Sequence, residues 1–309
     1  MIQSLVNDVK TYYFERFETM SQGHQFHYAS RLAAWSNNQQ AIDLLYRLKI
    51  AYVNPPHSLN QQQFLSELMH SPQTGRRVAH DLRLPYFEKY PNLFGIEKAI
   101  FRVHHLDIVC NVDIRKDFIT LCPKTELQRL LSNLSKDHDG LRMLSSFAVN
   151  TFYLANIHFG ITIESVTPEF WYKIGLSYDL DVKEHLQLLI YLYTHCIIAD
   201  SNFYSRLIPS QNIPTYQKMI SRLEQIIETH FERISLDNKL EFLVAAKIIG
   251  LSSSLQHRIY DEVSQSLSHD GNFIIEKLNE NTRSDRETFE KSEHRNVLLI
   301  MSVEPYIKG

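Results

Sequence analysis

Residues 143–163, MLSSFAVNTFYLANIHFGITI, contain no Asp, Glu, Lys or Arg. A run of this length either crosses a bilayer or lies inside a helical core. Ser145, Ser146, Asn150, Asn156 and His158 fall within it, and in lipid each would need a hydrogen-bond partner that a single span does not supply. A buried core helix is the better reading. Helical spacing places Leu141, Leu144, Ala148, Thr151, Ala155 and His158 on one stripe, with Phe147, Phe152 and Phe159 on its flank. A segment apolar on nearly every side must be surrounded by other helices.

The rest of the chain alternates to match. Residues 123–134 are amphipathic and 141–160 apolar; 212–233 are amphipathic and 236–250 apolar; 254–267 are amphipathic and 293–303 apolar. Apolar helices start near 141, 182, 237 and 293, which reads as a repeat of helical hairpins. Start signals of the cap-plus-N3 type occur at Ser58 with Gln61, Asp181 with Glu184, and Ser284 with Glu287. Thr167-Pro168-Glu169 puts proline where its missing N–H costs nothing. Only Asp117–Cys122 alternates like a strand, and 9 Gly in 309 residues is sparse for a many-stranded fold. His138-Asp139-Gly140 and His269-Asp270-Gly271 each follow an amphipathic helix and read as helix-ending turns. The expected fold is all-α, stacked helical hairpins. Residues 1–95 form an N-terminal helical segment and 96–309 the hairpin domain, with 82–95 as linker or surface loop. Residues 276–295 carry eleven charges and read as a solvated loop with one short helix.

Four hairpins of this length, with an HDGNF turn before the last, resemble the α/α-toroid superfamily over residues 123–309. That resemblance implies a complete or partial toroid. It carries no catalytic residue, because the chain has neither an Asp-x-Asp-Asp motif nor Cys-His-Gly. The stretch YLYTHCIIADSNFYSR, with the terminal EHRNVLLIMS, is also similar to an uncharacterised bacterial helical family with a Thr-His pair, an Asp and an Arg before a proline. Here those are Thr194, His195, Asp200, Arg206 and Pro209.

The chemistry-bearing candidates cluster in two places. His195, read as lying in the last turn of its helix, either caps free carbonyls there or lines a pocket and titrates. Asp200 would meet it only if the helix ended between them. In the functional reading His195 and Asp200 are the catalytic acid–base pair, with Tyr204 and Arg206 binding the ligand. Asp237 and His294 lie at the starts of apolar helices, where free N–H groups favour an anion. The order His24, His27, His80-Asp81, His104-His105, Asp107, Asp139 suggests a metal phosphohydrolase, but the VAHDLRLP context does not match and 15 His make chance pairs expected. Cys110, Cys122 and Cys196 lack metal-type spacing and read as reduced thiols. No phosphate loop, dinucleotide fingerprint or nucleophile elbow is present.

A net charge of -3 without a dense basic run argues against a nucleic-acid partner. The amphipathic, acid-containing N-terminus reads as neither signal nor transit peptide. The leading expectation is a cytoplasmic protein that binds a small molecule or peptide in the concave mouth of the bundle, in the setting of a biosynthetic pathway. The alternatives are an acid–base enzyme using His195 and Asp200, and a helical scaffold for a protein partner. No metal, cofactor or membrane partner is expected; a homo-oligomer stays open.

Overall fold

The computed structural model describes residues 2–54, 59–70, 79–275 and 289–307. Its helices are α1 (Ile2–Glu15), α2 (Gln22–Ser36), α3 (Gln39–Val53), α4 (Gln61–His70), α5 (His80–Lys89), α6 (Leu93–Ile108), α7 (Arg115–Leu121), α8 (Lys124–Leu134), α9 (His138–Leu144), α10 (Ser146–Phe159), α11 (Pro168–Gly175), α12 (Lys183–Asp200), α13 (Ile213–Thr229), α14 (Leu236–Ile248), α15 (Gln256–Gln265) and α16 (Glu293–Val303). Among the described residues there is no strand, only an isolated antiparallel bridge between Leu267 and Ile274. The protein is all-α.

Two compact units are assembled from separate stretches of chain: Met1–Leu48, Ser201–Ile213 and Ile220–Gly309 in the first, Lys49–Asp200 and Pro214–Met219 in the second. The expected division at residue 95 falls inside α6. A Cβ on Gly95 would stand 2.0 Å from the Met69 carbonyl oxygen, so α4 and α6 approach closely only because residue 95 has no side chain. The expected linker at 82–95 is mostly α5, which accommodates Pro85. The strand candidate 117–122 is also helical, within α7.

The helices differ as the hydropathy pattern requires. On α8 only Leu127, Leu131 and Leu134 are buried, one stripe of a polar helix. On α13 the buried set Tyr216, Met219, Ile220, Leu223, Ile226 and Ile227 repeats at three and four. By contrast α10, α12 and α14 are buried nearly all round. Each fully enclosed Leu or Ile contributes roughly 1.5–3 kcal/mol as an upper bound. In the second unit α10 packs against both α6 and α12; in the first, α16 packs against α14 and α2. Within each unit, then, apolar helices neighbour one another, with the amphipathic α8 on α10 and α15 on α14.

The charge-free run departs from one continuous helix. It breaks at Ser145 (φ 48°, ψ −116°) into α9 and α10. Tertiary hydrogen bonds hold the break: Ser145 Oγ donates to Leu188 O at 2.7 Å, and the Tyr178 hydroxyl donates to the Arg142 carbonyl. The two His-Asp-Gly sites also differ from each other. Gly271 is a turn glycine at φ 72°, as expected. His138-Asp139-Gly140 instead opens α9, with the Asp137 carboxylate accepting the Gly140 N–H at 3.0 Å. Thr167 caps α11 ahead of Pro168, as read. Asn60 and Gln63 form a reciprocal capping box on α4 (3.0 and 2.8 Å). Ser58, the pair Ser284/Glu287 and most of the charged stretch, 276–288, lie outside the described residues. No described helix is long and apolar enough to cross a membrane.

Candidate functional site

Helix α12 runs unbroken through both leading candidates and ends at Asp200. His195 is therefore not in a capping position. Five residues on a continuous helix turn through about 140°, so His195 and Asp200 leave the helix in different directions. Each enters its own hydrogen-bond chain.

The first chain joins three apolar helices of the second unit. His195 Nδ1 lies 2.9 Å from Asn150 Oδ1 on α10, and Asn150 Nδ2 donates to Glu97 Oε1 on α6 at 3.1 Å. Glu97 and Asn150 are 7% and 4% exposed, whereas His195 is half-buried. Asn150 turns its amide NH2 toward Glu97. The amide oxygen then faces His195, which must present Nδ1–H. In the neutral ring this places the lone pair on Nε2. Burying Glu97 and Asn150 is unfavourable unless each is hydrogen-bonded, and this chain answers that requirement while choosing a tautomer.

The second chain reaches Asp200, 5% exposed, from α13. Tyr216 donates to Asp200 Oδ2 at 3.0 Å, and the hydroxyls of Tyr153 and Tyr216 are 2.9 Å apart. With its proton committed to the carboxylate, Tyr216 accepts from Tyr153. Burial above all, then the neighbouring Tyr153 and Asp200, holds the Tyr216 hydroxyl well above its ordinary pKa. Cys196, beside this chain, is also pushed up by burial and secondarily by Asp200. Its thiol stays protonated and is no nucleophile.

Tyr204 and Arg206 lie in the turn that follows, which belongs to the first unit. Asn202, Phe203 and Tyr204 are consecutive left-handed residues (φ 50°, 51° and 74°), a conformation costing roughly 1–2 kcal/mol for each residue bearing a side chain. Ser201 secures it: its Oγ accepts the Tyr204 N–H at 3.0 Å and its carbonyl the Arg206 N–H at 3.0 Å. The Tyr204 ring meets Trp35 edge-on at 5.9 Å, and the Tyr306 hydroxyl reaches the carbonyls of Tyr204 and Arg206 (3.3 and 3.2 Å). Tyr204 is buried and Arg206 exposed.

The second candidate mouth is the start of α16, also in the first unit. Asp237 takes Arg295 at 2.8 Å, and the His294 ring lies 5.5 Å from that of His27. Sequence reasoning missed the central pair here. His27 Nδ1 lies 2.9 and 2.8 Å from the two carboxyl oxygens of Glu293, which is 1% exposed. Burial pushes the Glu293 carboxyl up to about 8 against the opposing charges of Arg31 and His24. One turn earlier on α2, His24 meets Glu290 at 3.0 Å, so α2 makes two His–Glu contacts, one to the start of α16 and one to the residues just before it. Only the matching 24/27 and 290/293 spacing hints at this in the sequence.

The phosphohydrolase order does not assemble. His24 and His27 serve the first unit; in the second, His104 Nδ1 faces His158 Nε2 at 3.1 Å, with Asp107 3.5 Å from the other His158 nitrogen. Burial lowers both imidazole pKa values. Among the described residues no three His, Cys, Asp or Glu side chains are grouped as a metal ion would require. Comparison with known protein families, curated proteins and solved structures returned no match.

Proposed function

We propose that this protein binds a small molecule or short peptide on the face where α6, α10 and α12 meet, beside the half-buried His195 ring. The observation that carries the reading is the Glu97–Asn150–His195 chain. Two buried polar residues on two otherwise apolar helices orient one half-buried imidazole, and packing alone gives no reason to incur that desolvation. Native mass spectrometry of the protein incubated with a metabolite extract tests it. The wild type should retain a bound mass that His195→Gln loses while melting at nearly the wild-type temperature. A variant that melts lower yet keeps the mass would make His195 structural.

The second reading is an acid–base enzyme, favoured by the Tyr153–Tyr216–Asp200 chain, which could pass a proton along hydroxyls to a carboxylate on the same helix as His195. The toroid arrangement is likewise proposed, supported within the second unit by α10 lying between α6 and α12, and within the first by α16 lying between α14 and α2. A cytoplasmic setting is supported by three free, buried thiols.

A further inference from the structure

The first unit carries buried donors that no described residue uses. Tyr13 and Tyr28 stack face to face, with centroids 5.3 Å apart and planes 15° apart, and both are 0% exposed. The Tyr13 hydroxyl is fully engaged: it donates to Phe289 O at 3.0 Å and accepts from Asn296 Nδ2 at 3.2 Å. Among the described residues the Tyr28 hydroxyl has no hydrogen-bond partner. One turn along the same face of α2, Arg31 has an enclosed Nη1 that is likewise unused, although the residue itself is half-buried. An enclosed donor left unmade costs about 1–3 kcal/mol, and native proteins rarely tolerate one without a partner from outside the chain.

Both groups act electrostatically on Glu293, so they share its neighbourhood. The nearby carboxylates are already taken. Glu293 is held by His27, and Glu304, which also acts on Tyr28, is held by Lys10 and the Ser36 hydroxyl. Arg31 adds a cation, 5.8 Å from the Tyr204 ring centroid. With its pKa at about 8, Glu293 carries its proton at neutral pH, within its contact with His27. The surroundings therefore offer O–H from Tyr28, N–H from Arg31, and one net positive charge.

We propose that α2 and α16 enclose a binding site for a small carboxylate, held by Tyr28 and Arg31 beside the His27–Glu293 pair. A carboxylate matches in three respects. It accepts only, it pairs with a planar guanidinium, and its single charge balances the one arginine. A phosphate dianion would bring a second negative charge that the one arginine does not balance, beside the Glu304 carboxylate.

Thermal melting in graded sodium acetate, against sodium chloride at equal ionic strength and neutral pH, is the test. Acetate should raise the wild-type melting temperature saturably, as a ligand of the native state does, and the rise should vanish in Tyr28→Phe and in Arg31→Met. Without acetate, Tyr28→Phe should melt no lower than the wild type, because the hydroxyl it removes makes no bond. Equal melting in acetate and chloride, a rise that survives Tyr28→Phe, or a larger rise with inorganic phosphate would each overturn the proposal. So would a Tyr28→Phe variant that melts lower without any ligand.

Discussion

The His27–Glu293 contact makes stability depend on pH in a way whose sign and size can be worked out. In the unfolded chain Glu293 titrates near its ordinary 4.5 and His27 near 6.5. In the fold burial raises the carboxyl to about 8 and, with Arg31 and His24, lowers the imidazole well below 6.5. The raised carboxyl alone contributes stability that is complete below 4.5 and lost as pH rises through about 8. The lowered imidazole alone loses stability as pH falls below 6.5. Below 6.5 the two slopes oppose each other, because the folded state keeps its proton on Glu293 and the unfolded state takes one up on His27. From 6.5 to about 8 only the folded state still holds it. Stability then falls by about 1.36 kcal/mol per pH unit, about 2 kcal/mol over that interval. For a chain of 309 residues this corresponds to a melting temperature lower by about 3 °C. Glu293→Gln keeps a hydrogen-bonding side chain but has no proton to lose, so its melting temperature should stay nearly level over that range. Melts of wild type and variant in buffers from pH 6 to 8.5 provide the comparison. Parallel curves would refute the argument, since they would mean the proton is not held at this pair.

Two further substitutions probe the rest of the structure. Tyr216→Phe removes the donor to Asp200 Oδ2 and should cost about 1–3 kcal/mol of stability, measured by chemical denaturation; no loss would mean Asp200 is satisfied without it. In Gly175→Ala the new methyl would lie 2.2 Å from the Tyr193 ring, whose hydroxyl donates to Tyr172 O at 2.8 Å. That crowding should destabilise by about 1–3 kcal/mol, with α11 amides exchanging faster than in the wild type; unchanged exchange would mean that α11 shifts without penalty.

Helix content and the alternation of apolar with amphipathic segments were legible in the chain, because an i, i+3, i+4 pattern is local information and each helix carries its own. Residues 293–303 became α16 and 123–134 became α8 to within a residue of the expected bounds. The break at Ser145 was not legible. Its cause lies in Leu188 and Tyr178, far along the chain, whose hydrogen bonds compensate a backbone that no local preference would choose. The candidate site divided the same way. His195 and Asp200 stood out as polar residues on an apolar helix, a contrast visible in one dimension. Which group each would meet depended on α12 continuing to Asp200 and on α10 and α6 presenting Asn150 and Glu97. The Tyr28 hydroxyl and the Arg31 guanidinium had no signature at all, and the Glu293 carboxyl only the spacing it shares with His27. Burial, the property that matters for each of them, is imposed on a residue by the rest of the fold.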